Sequence, residues 1–542
     1  MEHEGRKMTT VGWTSIYGRN IRTGAISTTA LALVLLMGLT SEEVHADTRI
    51  VIDSGLSPEE LEIYGHSVEM DAAADTGLIR EAWFRALEGY DGGLLLENLE
   101  REGLTPNFTD PTGMPIGFGT QNGWVGRNCA GCHSAEIHYQ GKVMLVPGAP
   151  NMLSSGFVRE RLTRALAATA ADGERLAAFQ NRVLGADASE AEHKALADEI
   201  RAWLDAYWGD TPENMMKDFA AQDRAYETTG TRPVVGDHPF EAVRNAWMGP
   251  QNYFVGGSVV DIPQIWDVEK QASIHHNGNT NSVLGRNVIS AIATFYAPSV
   301  EAVLDADPRQ LDKIGKVSEK IDAPLYPEDV FGPIDREKAA RGADLYAQYC
   351  AACHATTLPE GEVTDLPRFT AEESGTDEAY FDVFEKPVLG IAGVESQSYG
   401  DAVLAVMADF TKKWFERYEI TPEEAAQLEV PNPYWKFDRV WISRPMSGIW
   451  AAAPYLHNGS VPTMYHLLLP VSERPKKFTY FSKEYDPVNM GFRSDQPLDA
   501  APLLATYDTA VRGQGNQGHE YGTSMTDDQR YALIEYLKTI GE

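Results

Sequence analysis

The chain has four cysteines in 542 residues, and each falls in a C-x-x-C-H word: Cys129-Ala130-Gly131-Cys132-His133 and Cys350-Ala351-Ala352-Cys353-His354. Two thiols three positions apart lie on one side of a helical turn, where both can add to the vinyl groups of one porphyrin. The imidazole of the next residue can then reach the iron. A redox dithiol or a pair of zinc knuckles also uses C-x-x-C, but neither demands a histidine after the second cysteine. The words therefore predict two covalently bound haem c groups, with His133 and His354 as proximal iron ligands and no thiol left for a disulfide.

Elements must hold these words in place. Before the second word, Asp335 can cap a helix whose Gly342, Leu345, Tyr346 and Tyr349 share one face up to Cys350. Near the chain end, Thr526 to Gln529 reads as a capping box, followed by Leu533, Ile534, Leu537 and Ile540 at helical spacing and by Gly541 as a stop. Two such helices would pack together and enclose a haem edge, an arrangement that resembles a class I cytochrome c domain carrying a long insertion.

The first word is approached by a glycine-rich stretch (Gly113, Gly117, Gly119, Gly123, Gly126) suited to close backbone approach to a flat cofactor. Ala-, Glu- and Leu-rich segments between Ser155 and Trp208 read as helices, and the proline-bearing stretch from Asp307 to Pro333 as a linker. The expected fold is mainly α: two cytochrome-c-like haem domains, residues 47–320 and 321–542, with long loop-rich insertions and little β.

A weak internal repeat accompanies the two words. Asp261-Ile262-Pro263-Gln264-Ile265-Trp266 leads to His276-Asn277-Gly278, and Ser443 to Trp450 leads to His457-Asn458-Gly459. The spacing from Trp to His differs by three residues between the two copies.

Basic residues number 46 against 79 acidic ones, a formal charge of −33. Such a surface repels phosphate backbones and anionic lipid, which argues against nucleic acid as a partner and favours a neutral or basic one. Arg19 and Arg22 precede an apolar run from Ala25 to Leu39, and Val44-His45-Ala46 ends on small residues. That is the layout of a signal peptide over residues 1–46, cut before Asp47, and it predicts a periplasmic or secreted protein with no membrane span in the mature chain.

Four further words carry a family resemblance: Ala453-Pro454-Tyr455-Leu456-His457-Asn458-Gly459-Ser460-Val461-Pro462-Thr463, Glu473-Arg474-Pro475, the segment from Tyr485-Asp486-Pro487 to Gly491-Phe492, and the tail from Gly515 to Gly522 around His519. With the two haem words, these resemble the bacterial di-haem cytochrome c peroxidase and MauG superfamily, most of all its rubber-oxygenase-like (RoxA-like) branch, which includes fatty-acid dioxygenases. The resemblance implies an oxidoreductase in which the His133 haem activates dioxygen or peroxide while the His354 haem is six-coordinate and relays electrons. It implies a small redox protein or small-molecule electron donor or acceptor as partner, and peroxide or an apolar molecule as substrate. A non-catalytic electron-transfer cytochrome is the alternative, favoured if His276 or His138 closes the first haem.

On that basis His519, set among Gly513, Gly515, Gly518 and Gly522, is the candidate sixth ligand of the second haem, with Met464 the alternative and a propionate bond a further possibility. His457 is read as a haem-pocket residue and Arg286 as a propionate partner or a surface charge. Where the superfamily commonly has Trp-Asp-Gly, this chain has His276-Asn277-Gly278. Trp266 or another aromatic would then carry the inter-haem relay, and His276 or His275 could act above the first haem, or be plain core. Trp247, Met248, Tyr253 and Phe254 line a pocket or fill a core.

Overall fold

The computed structural model describes residues 48–67, 78–110, 112–152, 155–208, 211–229, 238–254, 256, 259–295, 304, 306–428, 433–498, 500 and 504–542. The expected leader lies outside the described residues.

Near the chain start a helix at Pro58–His66 begins in a capping box formed by Ser57 and Glu60. Two small three-stranded sheets follow. One joins Thr48–Val51, in parallel, to Lys142–Pro147, which pairs antiparallel with Ser134–Tyr139. The other contains the hairpin of Phe118–Gln121 and Trp124–Arg127. Helices at Ser155–Ala171, Gly173–Leu184 and Glu190–Trp208 then appear where their composition predicts them, with a fourth at Pro212–Thr229.

In the chain's second part the helix at Arg336–Tyr349 is capped by Asp335, and the helix at Asp527–Lys538 opens in the Thr526/Gln529 capping box. The two cross closely. A Cβ on Gly342 would sit 2.0 Å from the Ala532 carbonyl oxygen, so only glycine allows the approach. Leu533, Ile534 and Leu537 are buried there, each worth about 2 kcal/mol of transfer free energy.

Two expectations are corrected. The fold is not mainly α with little β: six small sheets of two or three strands are distributed along the described residues, including Val388–Ile391 with Val394–Gln397 and Lys477–Tyr480 with Ala505–Asp508. Their strands are short, and several carry no clean alternation, which is why a reading based on periodicity passes over them. The stretch 307–333 is not a loose linker either. Asp307 caps a helix at Pro308–Glu319 whose Leu311 and Ile314 are fully buried, and Ile321, Tyr326 and Phe331 follow Ile314 into a core shared with Tyr64, Ile137, Trp450 and Leu533.

Candidate functional site

Both C-x-x-C-H words fold into the same turn. Asn128 accepts a hydrogen bond from the Ala130 amide and donates to the Ser67 carbonyl, pinning the turn at Cys129–Gly131. The amides of Cys132 and His133 then bond back to the Cys129 carbonyl, as those of Cys353 and His354 do to Cys350. The glycine-rich approach serves this turn. Gly117 has φ +76°, and a Cβ on it would lie 2.0 Å from the Gly131 nitrogen.

Each histidine of the two words is oriented in the same way. His133 Nδ1 lies 2.9 Å from the Pro263 carbonyl oxygen and His354 Nδ1 lies 2.8 Å from that of Arg444. A carbonyl only accepts, so Nδ1 carries the proton and the Nε2 lone pair is left for a metal. Burial, reinforced by Arg286 and Arg444, pushes the His133 pKa down to about 3, and burial lowers that of His354. Both rings are therefore neutral, the state that metal ligation needs. Two tyrosines complete the match: Tyr64 donates to the His133 carbonyl and Tyr346 to the His354 carbonyl at 2.7 Å. The helix at Pro58–His66 thus does for the first word what Arg336–Tyr349 does for the second. The sequence reading missed it, although the Tyr64-Gly65 pair was a usable signal.

The repeat is structural as well. Ile274 bridges to Thr280 and Tyr455 to Val461, while His275 and Leu456 have φ of +71° and +66° and Gly278 and Gly459 of +59° and +66°. The two His-Asn-Gly loops therefore share one backbone form.

A cavity of about 280 Å³ opens at the second word. Cys350, Cys353 and His354 form one wall, with Met464, Leu467, Leu533 and Leu537 around them. Across it stands His519, its ring centroid 6.2 Å from that of His354. Two imidazoles bound to opposite sides of one metal ion at about 2.0–2.1 Å place their centroids roughly 6 Å apart. The His519 Nδ1 is buried without a hydrogen-bond partner, and burial, with His354 and Arg474 nearby, pushes its pKa down to about 4.

The backbone of His519 is tightly held. Its φ is +48° and its amide bonds to the Ser374 carbonyl at 2.8 Å. Buried Arg474 donates to the carbonyls of Leu467, Leu469, Asn516, Gly518 and His519, tying the cavity wall to the tail loop. Asn458 adds bonds to the Gly513 and Gly515 carbonyls.

Two guanidiniums, those of buried Arg286 and half-buried Arg444, lie near the words. Arg286 and Arg444 are held below their ordinary pKa, Arg444 at about 10, first by burial; the neighbouring Arg286 adds to the shift of Arg444. Among the described residues neither makes a carboxylate ion pair, although Arg286 feels Glu319, and the Arg444 Nε has no partner. Buried cations call for anions, so the pair suits the propionates of haem. The Nε2 atoms of His133 and His354, the two cysteine pairs that lead into these histidines and the apolar cavity fit the same group. Arg444 was not anticipated from sequence.

The remaining candidates separate. His276 gives its Nε2–H to the Asp261 carbonyl at 2.9 Å and lines the cavity of the second word. His275 turns the other way, bonded through Nδ1 to Asn279 and close to the charges of Arg286 and Arg444 that also act on His133. His457 stacks on Trp441 at 4.2 Å, and Tyr380 packs against both. Trp266 is fully buried, donates to the Ser447 carbonyl and does not line the cavity. Met464 does line it. His138 is paired with Glu136 at 2.6 Å, facing a separate pocket. Trp247, Met248 and Phe254 are core, whereas Tyr253 is exposed.

Residues 440–479, which carry Trp441, Arg444 and His457, match a family model described as RoxA-like, cytochrome c-like. This supports a RoxA-like cytochrome family and, at that level, a haem-binding iron protein of the oxidoreductase class. Over 502 residues the chain is 27% identical to the uncharacterized protein y4iJ of Sinorhizobium fredii, covering 80% of this chain and 83% of that one. It is also 28% identical over 306 residues to the uncharacterized protein y4iM of the same organism, covering 52% of this chain and 65% of that one. No helix among the described residues is long and apolar enough to cross a membrane.

Proposed function

We propose that this chain is an exported di-haem c-type cytochrome and oxidoreductase of the di-haem peroxidase and MauG superfamily, active on dioxygen or peroxide at its first haem. Cys129 and Cys132 would anchor that haem with His133 as its ligand. Cys350 and Cys353 would anchor the second, ligated by His354 and His519. A haem held by one neutral imidazole supplies an open coordination site for small oxidants, and one held by two supplies a reversible electron store.

The observation that carries this reading is the asymmetry of the two words. His354 has an imidazole facing it at 6.2 Å, whereas among the described residues no imidazole ring stacks against that of His133. Around the first site, Arg286 and Arg444 would bind propionates. His275, kept neutral by burial and by these two arginines, would pass a proton there. The electron donor or acceptor would be a small redox protein or small molecule of neutral or basic character, given the charge of −33.

Optical and EPR spectra of the purified protein, with and without cyanide and peroxide, test the proposal. One low-spin haem that ignores both reagents and one that responds to them support it. Two low-spin, unreactive haems in every redox state would leave an electron-transfer cytochrome without catalysis.

A further inference from the structure

We infer that Arg444 couples the two proximal histidines, and that electron exchange between the two haem sites runs through it. The inference rests on the two-haem reading above. His133 Nδ1–H donates to the Pro263 carbonyl at 2.9 Å. One peptide further on, the Gln264 carbonyl accepts from the Arg444 Nη1–H, also at 2.9 Å. The Arg444 backbone carbonyl then accepts from His354 Nδ1–H at 2.8 Å. A single side chain thus closes a path of covalent bonds and three ordinary hydrogen bonds from one iron ligand to the other.

The competing route is aromatic. His276, His457, Trp441 and Tyr380 form a cluster in which only Trp441 and His457 are stacked, while His276 meets His457 and Tyr380 edge-on at 6.5 and 6.4 Å. Among the described residues none of these rings contacts the ring of His133 or His354; Tyr380 leads instead to His238 and Phe384. Bonded atoms and short hydrogen bonds couple redox centres better than gaps of van der Waals width, so the Arg444 path is the stronger. The exchange balances internally: one electron leaves one site as it reaches the other, with no further reactant.

The test uses the haem-loaded protein. Haem per chain is counted, both reduction potentials are measured, and one haem is reduced by a light pulse while equilibration with the other is followed optically. Arg444→Met leaves the backbone carbonyl to His354 and removes the link to Gln264. After correction for any change in the difference of potentials, it should slow equilibration at least tenfold with the ligand spectra of both haems kept, and Trp441→Phe should slow it less than threefold. Arg444→Gln, smaller and still polar, serves if the methionine variant loses haem, with the same expectation. A rate within threefold of the parent in the Arg444 variant, or a greater effect of Trp441→Phe, would overturn the path. One haem per chain would overturn the two-haem reading itself.

Discussion

Tyr64 and Tyr346, far apart in the chain, make the same hydrogen bond: each hydroxyl donates to the backbone carbonyl of the histidine in its own C-x-x-C-H word. Both are buried at the end of a helix that leads toward that word. Replacing either by Phe keeps the packing and removes one donor from that carbonyl, although the His133 carbonyl keeps the Gly148 amide, at a cost of about 1 kcal/mol. Urea unfolding of Tyr64→Phe and Tyr346→Phe should show similar losses, and an effect confined to one would deny their equivalence.

Arg474 holds five carbonyl oxygens with one guanidinium. Arg474→Met removes the donor from these carbonyls and should cost ~3–5 kcal/mol, at about 1 kcal/mol for each buried acceptor that loses its partner. It should also loosen the backbone of His519 and raise the high-spin fraction of the second haem. EPR and chemical unfolding on one sample read both effects.

Gly117 lies in the left-handed region with its α-carbon against the Ala130–Gly131 backbone. Gly117→Ala introduces backbone strain of ~1–3 kcal/mol and a clash that displaces the first attachment turn. The expected outcome is a drop in haem per chain toward one, with the second haem's spectrum unchanged.

His238 is buried, bonded to the Tyr380 carbonyl through Nε2, and held down to a pKa of about 4 by burial. The folded state therefore prefers the neutral ring more than the unfolded chain does, whose value is 6.5. Below pH 6.5 the unfolded chain takes up the proton first, so this contribution to stability is present above pH 6.5 and is lost as pH falls toward 4. It amounts to ~3 kcal/mol. His238→Gln, which keeps a donor, should flatten the stability profile between pH 6.5 and 4 by that amount; an unchanged slope would place the titration elsewhere.

The haem words and the helices around the second of them were legible because their signals are local: a five-residue word, Asp335 as a cap, a capping box at Thr526. What escaped was long-range. Tyr64 stands far ahead of its word in the chain, and nothing in the spacing ties it to His133. Arg444 acts through its carbonyl and its guanidinium at once, and backbone acceptors leave no residue-type signature. The small sheets were missed because most strands have only two to four residues, too short for alternation to register, and the six-residue pair Ser134–Tyr139 and Lys142–Pro147 does not alternate between buried and exposed. The relay role expected of Trp266 is untouched by its burial or its bond to the Ser447 carbonyl, but the stack of Trp441 on His457 was not legible, because nothing in the sequence ties those two residues together.

If the two haem sites are unequal because His519 closes only the second, the EPR spectrum of the oxidised protein beside that of His519→Ala shows it most directly. The parent should give one low-spin bis-histidine signal and one signal from the first site, with the low-spin signal converting to high spin in the variant and the other unaltered. A low-spin signal that survives the substitution would contradict it.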